Sequence, residues 1–424
     1  MPLRDIHATI EKYLPIKTKE KNQHGEVFTP LLLIEEMLNQ LPVEVWSNPG
    51  LTWLDPANGI GNFPMILYSL LMNGLKYWQP NDKKRSNHII KNMIFMVELN
   101  QVNVDVTRKI FGDDANIFCG SFLEEDWLDV FPKKFDIIIG NPPFNKEKKE
   151  KQIGSRAKNS LWDAFIFRSF DVLKPNGYLT FINPAQWRGL GPGYHKVWDL
   201  LTQKQILFLH IYGMSGGKKH FNVGSRFDVY LVQNKPVFGK TTIIDEMGEK
   251  HQIRLDTLHF LPSYAYDLIF PLLTDERIDV LHGSTHSSDQ KLKIKKTSRE
   301  KTDDYKYPVI HSINKTGILP LLWSNDNTKG HFGVPKVILN FNQKQYYYPE
   351  QNDWEGKYGM SQISFGIPIS SKEEGDMILK AINTDEFKTI IKATKWGSFQ
   401  TDYRMFKYFK KDFWKLLCAF SPPN

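Results

Sequence analysis

The chain has 424 residues, 41% of them hydrophobic and 24% charged, with a formal net charge of +8 and a pI of about 9.0. This composition excludes a disordered or fibrous chain, leaves room for two or three domains, and suits a polyanionic partner. Two cysteines, Cys119 and Cys418, exclude a disulfide scaffold and a cysteine-rich zinc site; with no apolar run of membrane-span length, they predict a cytoplasmic protein.

The N-terminal MPLRDIHATIEKYL lacks the pattern of a signal peptide and predicts a short helix from Ile6 to Tyr13, followed by the charged link KTKEKNQ. Thr29 and Pro30 then stand at a helix start, ahead of the periodic apolar residues Leu32, Leu33, Met37 and Leu38. Two readings stay open here. One is an N-cap with proline at the first helical position. The other is a helix N-terminus whose free N–H groups face a ligand carboxylate.

Leu51 to Leu54 predict a strand, and Pro64 a helix start. Between them lies the loop Asp55-Pro56-Ala57-Asn58-Gly59-Ile60-Gly61-Asn62-Phe63. A strand, a glycine loop and a helix in succession form the ligand-binding unit of a doubly wound sheet. The pattern is not the dinucleotide GxGxxG, and Asp55 would repel a pyrophosphate. An ammonium group or hydroxyls suit it better. MIFMVELN (93–100) predicts a buried strand ending in Glu98, a position at which an acid accepts ribose hydroxyls; a helix N-terminal acid is the plainer alternative. A helix from Val102 to Phe111 and a strand in NIFCGSFLEEDW follow.

FDIIIGNPPF (135–144) predicts another buried strand opening at Gly140 into Asn141-Pro142-Pro143-Phe144. Two prolines stiffen the backbone and remove two donors. The Asn141 side-chain oxygen and the Pro142 carbonyl then form a cluster of acceptors beside an aromatic ring. A planar group bearing an NH2, such as a nucleobase amine or a carboxamide, matches it. A proline turn with a packed phenylalanine is the bland alternative. The βαβαβ alternation puts Asp55, Glu98, Ser121 and Asn141 on the carboxyl edge of a parallel sheet.

Beyond it, residues 145–160 are charged and glycine-punctuated, either a solvated loop or a contact to a nucleic-acid backbone. LWDAFIFRSFDVL (161–173) predicts an amphipathic helix. GYLTFINPAQW, ILFLHIYG and SRFDVYLVQNK predict strands, with an antiparallel strand expected at the sheet edge. The histidines show no metal-ligand spacing, so no metal is expected. From about Lys240 strands shorten and basic and aromatic residues interleave, notably at 291–301, 336–348 and 404–415.

Together these motifs resemble the S-adenosylmethionine-dependent DNA adenine-N6 methyltransferases, in the gamma order of the restriction–modification type: FTP, DPANGIGNF, VELN, NPPF. The resemblance covers roughly residues 24–235. It implies an α/β fold, a Rossmann-like doubly wound methyltransferase sheet in residues 1–238, with a C-terminal α+β target recognition domain in residues 239–424. It further implies that Phe28, Thr29 and Pro30 hold the methionine end of the cofactor. Asp55, Pro56, Asn58, Gly59 and Gly61 would line it, Phe63 would close over it, Glu98 would take the ribose hydroxyls, and Leu99 would also belong to the cofactor site. Ser121 stands where the family often has an aspartate for the cofactor's adenine amine, which shifts weight to Phe122. Asn141, Pro142, Pro143 and Phe144 would take a flipped-out adenine of double-stranded DNA, with Asn183 and Trp187 near that pocket. The implied partners are duplex DNA and a separately encoded restriction endonuclease, with no membrane. The alternative acceptors are RNA adenine and a protein glutamine amide; the non-enzyme alternative is an inactive DNA-binding protein.

Overall fold

The computed structural model describes residues 29–145, 160–283, 286, 297–318, 321–341, 346–397 and 401–420. The expected helix at residues 6–13, the link after it, Phe28 and most of the 145–160 segment lie outside the described residues. The chain forms two compact units, residues 1–187 with 192–259, and residues 188–191 with 260–424.

A nine-stranded sheet of order β3-β2-β1-β4-β5-β7-β6-β8-β9 forms the first unit. Its strands are β1 (Trp53–Asp55), β2 (Ile94–Glu98), β3 (Asn116–Cys119), β4 (Phe135–Gly140), β5 (Leu173–Pro184), β6 (Lys204–Tyr212), β7 (Phe227–Pro236), β8 (Thr241–Ile244) and β9 (Lys250–Ile253). β1 to β5 are mutually parallel. Every residue of β1 and β2 is buried, which is why these strands read as continuous apolar runs rather than as alternation. This is the expected α/β, Rossmann-like doubly wound sheet. One detail differs: β7 is antiparallel to both β5 and β6 and lies inside the sheet, not at its edge.

β8 and β9 extend the sheet beyond β6, so the first unit runs to His259, past the boundary expected at 238/239. The turn residues Phe238-Gly239-Lys240 punctuate the sequence there, yet the next strand pairs back in parallel with β6.

Strand order reverses between β1 and β4, the two neighbours that lead to opposite halves of the sheet. Such a switch point opens a crevice at the strands' carboxyl ends. Helices α1 (Leu31–Leu38), α2 (Asn62–Gly74), α3 (Asp82–His88), α4 (Gln101–Phe111), α5 (Trp162–Val172), α6 (His195–Thr202) and α7 (Met214–Phe221) complete the unit. α1 buries Leu33, Ile34, Met37 and Leu38 in one core with Phe63, Ile66 and Leu67 of α2. α4 is capped by the Asn100 side chain, which accepts from Val102 N–H at 3.0 Å, and ends at Gly112 with φ +91°.

The second unit is α+β. It holds a four-stranded sheet (β10 Thr297–Ser298, β12 Leu321–Ser324, β11 Tyr307–Ile310, β15 Gly359–Met360) and a three-stranded one (β14 Asn352–Asp353, β13 Lys336–Asn340, β16 Ser364–Pro368). Helices Lys372–Ile382, Asp385–Ala393 and Phe413–Phe420 belong to the same unit. Lys336 Nζ is fully buried, 2.6 Å from Asp353 Oδ2, and also donates to the carbonyls of His331 and Val334. The basic stretch at 404–415 proves amphipathic in a consequential way: Met405, Phe406, Phe409 and Phe413 are core residues of this unit.

Candidate active site

Asp55, at the end of β1, is 2% exposed. Its Oδ1 accepts from Ala57 N–H at 3.1 Å, while its buried Oδ2 finds no hydrogen-bond partner in the protein. Burial pushes the carboxyl up to about 8; the charge of Glu98 adds to the rise and the Ala57 N–H opposes it. The neighbouring strand β4 ends at Gly140, where a Cβ would stand 3.1 Å from Asp55 Oδ1. Glycine at that position lets the two strand ends close on each other.

The loop after Asp55 turns at Gly59 (φ +57°) and Gly61 (φ +92°), the left-handed region that costs other residues roughly 1–2 kcal/mol. A Cβ at Gly59 would meet nothing within 4 Å, so the backbone here borders open space. Asn58 N–H donates to the Val97 carbonyl at 3.0 Å, and Asn58 Nδ2 donates to Thr107 Oγ1 at 2.8 Å. Glu98 Oε2 accepts from Gly59 N–H at 2.7 Å; its Oε1 accepts from Asn100 N–H at 2.9 Å and Asn103 Nδ2 at 3.2 Å. Glu98 therefore ties the glycine loop to the start of α4.

Thr29 connects the remaining pieces. Its hydroxyl accepts from Asn141 Nδ2 at 3.1 Å, and its carbonyl accepts from Asn62 Nδ2 at 3.2 Å. Pro30 occupies the N-cap position of α1 and no side chain caps that helix. The Thr29 hydroxyl thus serves Asn141 and not the helix. With Nδ2 held, Asn141 Oδ1 is left buried and without a partner.

Thr29, Pro30, Asp55, Pro56, Asn58, Gly59, Gly61, Glu98 and Asn141 accordingly sit on or beside the carboxyl ends of β1, β2 and β4. Pro142 is buried, Pro143 exposed and Phe144 partly buried against the core. The surroundings of the other expected site residues are as follows. Phe63 is 5% exposed and belongs to the apolar core shared with α1. Phe122 is 1% exposed, stacked on Trp127 at 5.2 Å and on Phe165 at 5.5 Å. Leu99 is 71% exposed, and Ser121 Oγ accepts from Leu123 N–H at 3.3 Å. Asn183 and Trp187 are fully buried; Asn183 Oδ1 accepts from the Tyr230 hydroxyl at 2.5 Å, and Trp187 packs on Trp198 and Tyr230. Sequence reasoning missed Asn62, Asn103 and Thr107. The last two sit one turn apart on α4, and polar residues at that spacing on an otherwise apolar face were the available signal.

Four side-chain oxygens in this region, on Asp55, Asn58, Asn62 and Asn141, are buried and unpartnered. Buried acceptors without partners are costly, by about 1–3 kcal/mol each. All four call for donors. A ligand rich in N–H and O–H groups, with a positive charge for Asp55, answers that demand. S-adenosylmethionine carries an ammonium, two ribose hydroxyls and an exocyclic amine, so this set of acceptors fits it. Among the described residues no group of three or more His, Cys, Asp or Glu side chains gathers as a metal site.

A protein-family model described as Eco57I restriction-modification methylase matches residues 66–217. The matched stretch includes β2, Glu98 and the Asn141 motif; the glycine loop and Thr29 precede it and rest on the geometry above. An uncharacterized adenine-specific methylase of Mycoplasma pneumoniae is 26% identical over 256 residues, 43% of this chain and 60% of that protein. The type II methyltransferase M.VspI of Vibrio sp. is 26% identical over 203 residues, 46% of this chain and 45% of that protein. The chain spans about half the length of these curated relatives. The solved structure of the type IIL restriction–modification enzyme MmeI in complex with DNA is 13% identical, with a TM-score of 0.49, and covers 89% of this chain and 64% of that one.

Proposed function

We propose that this protein is a site-specific DNA methyltransferase that moves a methyl group from S-adenosylmethionine to the N6 amine of an adenine flipped out of duplex DNA, the reaction class EC 2.1.1.72. The observation that carries the reading is the Asn141 amide. Thr29 takes its Nδ2, and its buried Oδ1 is left without a partner; the Pro142 carbonyl, next in the chain, is the second acceptor in this reading. Two acceptors on a proline-stiffened loop match the two hydrogens of an exocyclic amine.

The cofactor supplies an activated methyl group on a sulfonium centre. The protein's part is orientation. Asn141 Oδ1 and the Pro142 carbonyl accept the amine hydrogens and fix the nitrogen's lone pair in direction. Phe144 offers a ring face to the base. Asp55 takes the cofactor's ammonium, and Glu98, which holds the Gly59 turn, is assigned to the ribose. Acceleration then comes from alignment and preplaced dipoles, with no covalent step on the protein. A base has to leave the stack to reach such a site.

The second unit is assigned to target recognition. Support comes from lysines set over aromatic rings, Lys301 over Trp323 at 5.2 Å and Lys357 over Tyr358 at 5.3 Å, a composition suited to phosphates and bases. A separately encoded restriction endonuclease and a cytoplasmic location complete this reading. Its direct test is Asn141→Ala: methyl transfer to duplex DNA is lost while S-adenosylmethionine binding persists, and undiminished transfer by that variant would remove Asn141 from the chemistry.

A further inference from the structure

Glu36 lies on the partly exposed side of α1, opposite the apolar stripe of Leu33, Ile34, Met37 and Leu38. Its Oε1 accepts from the Tyr212 hydroxyl at 2.8 Å and stands 2.6 Å from His210 Nδ1. Both partners belong to the carboxyl-terminal end of β6. Their rings meet at 4.0 Å with a tilt of 31°, and Tyr212 lies flat on Phe227 of β7 at 4.5 Å and 9°. His210 beside it is the main reason the Glu36 carboxyl lies below the usual range. This is a dense group of titratable side chains that the proposed chemistry does not use.

Its position relative to Thr29 gives it a use. α1 has no side-chain cap, and it is only eight residues long. Its apolar stripe fixes which face meets the core, but a stripe of Leu, Ile and Met tolerates small rotations and slides. A charged, two-partner bond to a strand end does not, because such bonds are directional. Seven residues upstream of Glu36, about 10 Å along a helix, Thr29 holds the amide of Asn141 at one atom and the amide of Asn62 at another.

We propose that Glu36 is a positioning residue for methyl transfer: anchored to His210 and Tyr212, it holds α1 in place, so that Thr29 keeps the Asn141 amide turned with Oδ1 towards the acceptor amine. This rests on the reading of Asn141 given above. Glu36 touches neither cofactor nor base, and its effect reaches the chemistry only through Thr29. A helix shift of an ångström at Thr29 breaks the Asn141 bond, frees the amide to rotate, and offers the acceptor a donor NH2 in place of an oxygen.

The test is a double-mutant cycle with a spectroscopic readout. Glu36→Ala and Thr29→Val are made singly and together, with Glu36→Gln and Thr29→Ser as conservative variants. Single-turnover methylation of mixed-sequence duplex DNA, S-adenosylmethionine binding, and the side-chain amide resonance of Asn141 are measured in each full-length protein. Glu36→Ala should slow the single turnover by about tenfold to a hundredfold, with cofactor affinity changed by less than about threefold. Adding it to Thr29→Val should cost nothing further, because the two act through one bond. The Asn141 amide resonance should move in Glu36→Ala and return towards its original position in Glu36→Gln, as Thr29→Ser should restore the rate. Effects that multiply in the double variant, or an unmoved Asn141 resonance in Glu36→Ala, would overturn the proposal. If the unmodified protein methylates no DNA, the acceptor reading fails by itself. The resonance then decides the positioning role: a shift upholds it and no shift overturns it.

Discussion

The hydroxyl of Thr29 and the amide of Asn141 meet at 3.1 Å across 112 residues of chain. This contact joins the segment before α1 to the end of β4 and determines which end of an amide faces outward. A free asparagine amide is nearly symmetric in shape and can present donor or acceptor. Here the donor is engaged and the acceptor is not, so the site is built for a partner that donates.

Removing that hydroxyl should therefore impair the reaction without disturbing the fold. Thr29→Val keeps the volume and leaves Asn141 Nδ2 without its acceptor. Single-turnover transfer should fall by about tenfold or more, while the melting temperature shifts by only a few degrees. A transfer rate equal to the unmodified protein's would mean that the bond orients nothing.

Asp55 predicts a proton signature. Its carboxyl, raised to about 8 by burial, is mostly protonated in the free protein at pH 7. A ligand ammonium favours the ionised form, so binding at pH 7 should release close to one proton. Calorimetry in two buffers of different ionisation enthalpy measures this directly, and Asp55→Asn should abolish the release. The same shift has a consequence for stability. A carboxyl raised in the folded state stabilises the fold fully below its unfolded value near 3.8, and that contribution is lost as pH climbs towards 8. The free protein should lose stability over that window, and Asp55→Asn should flatten the trend.

Glu98→Gln should separate the carboxylate's two jobs. The glutamine oxygen can still receive Gly59 N–H or Asn103 Nδ2, but one of the present bonds is lost and the charge with it. The expected result is a protein that folds, less stable by about 1–3 kcal/mol, with cofactor affinity reduced by tenfold or more. Isothermal titration and thermal melts on one preparation separate the two effects. Unchanged affinity would show that the Gly59 turn holds without the carboxylate.

Lys336 offers a test of the division into units. Truncating one partner of a buried ion pair costs about 3–5 kcal/mol, because the other charge stays buried. Lys336→Met should destabilise the second unit and abolish sequence-specific DNA binding. S-adenosylmethionine binding, assigned to the first unit, should survive. Loss of cofactor binding along with DNA binding would argue against that assignment.

Much of the first unit was legible because its determinants are local. A buried parallel strand reads as an apolar run, and the glycines at 59 and 61 mark backbone that other residues adopt at a cost. Three things were not legible. The ring environments of Phe63 and Phe122 depend on what packs over them, and both rings lie in apolar cores built largely from distant elements. The site of β7 within the sheet is a matter of topology, which strand composition does not encode. The unit boundary was placed at a turn that the chain uses only to reach β8. Glu36 was unremarkable in the sequence, one acid in a helix, because its partners His210 and Tyr212 lie 174 and 176 residues away.

Methylation of adenine in duplex DNA by the acceptor-lined site beside Asn141 is open to direct observation. Its most direct measurement is incubation of the full-length protein with S-adenosylmethionine and mixed-sequence duplex DNA, followed by nucleoside mass spectrometry and single-molecule mapping of modified positions. N6-methyladenine should appear confined to one short sequence motif, and none should appear with Asn141→Ala. Methylation of cytosine, or no methylated nucleoside from a protein that binds the cofactor, would contradict it.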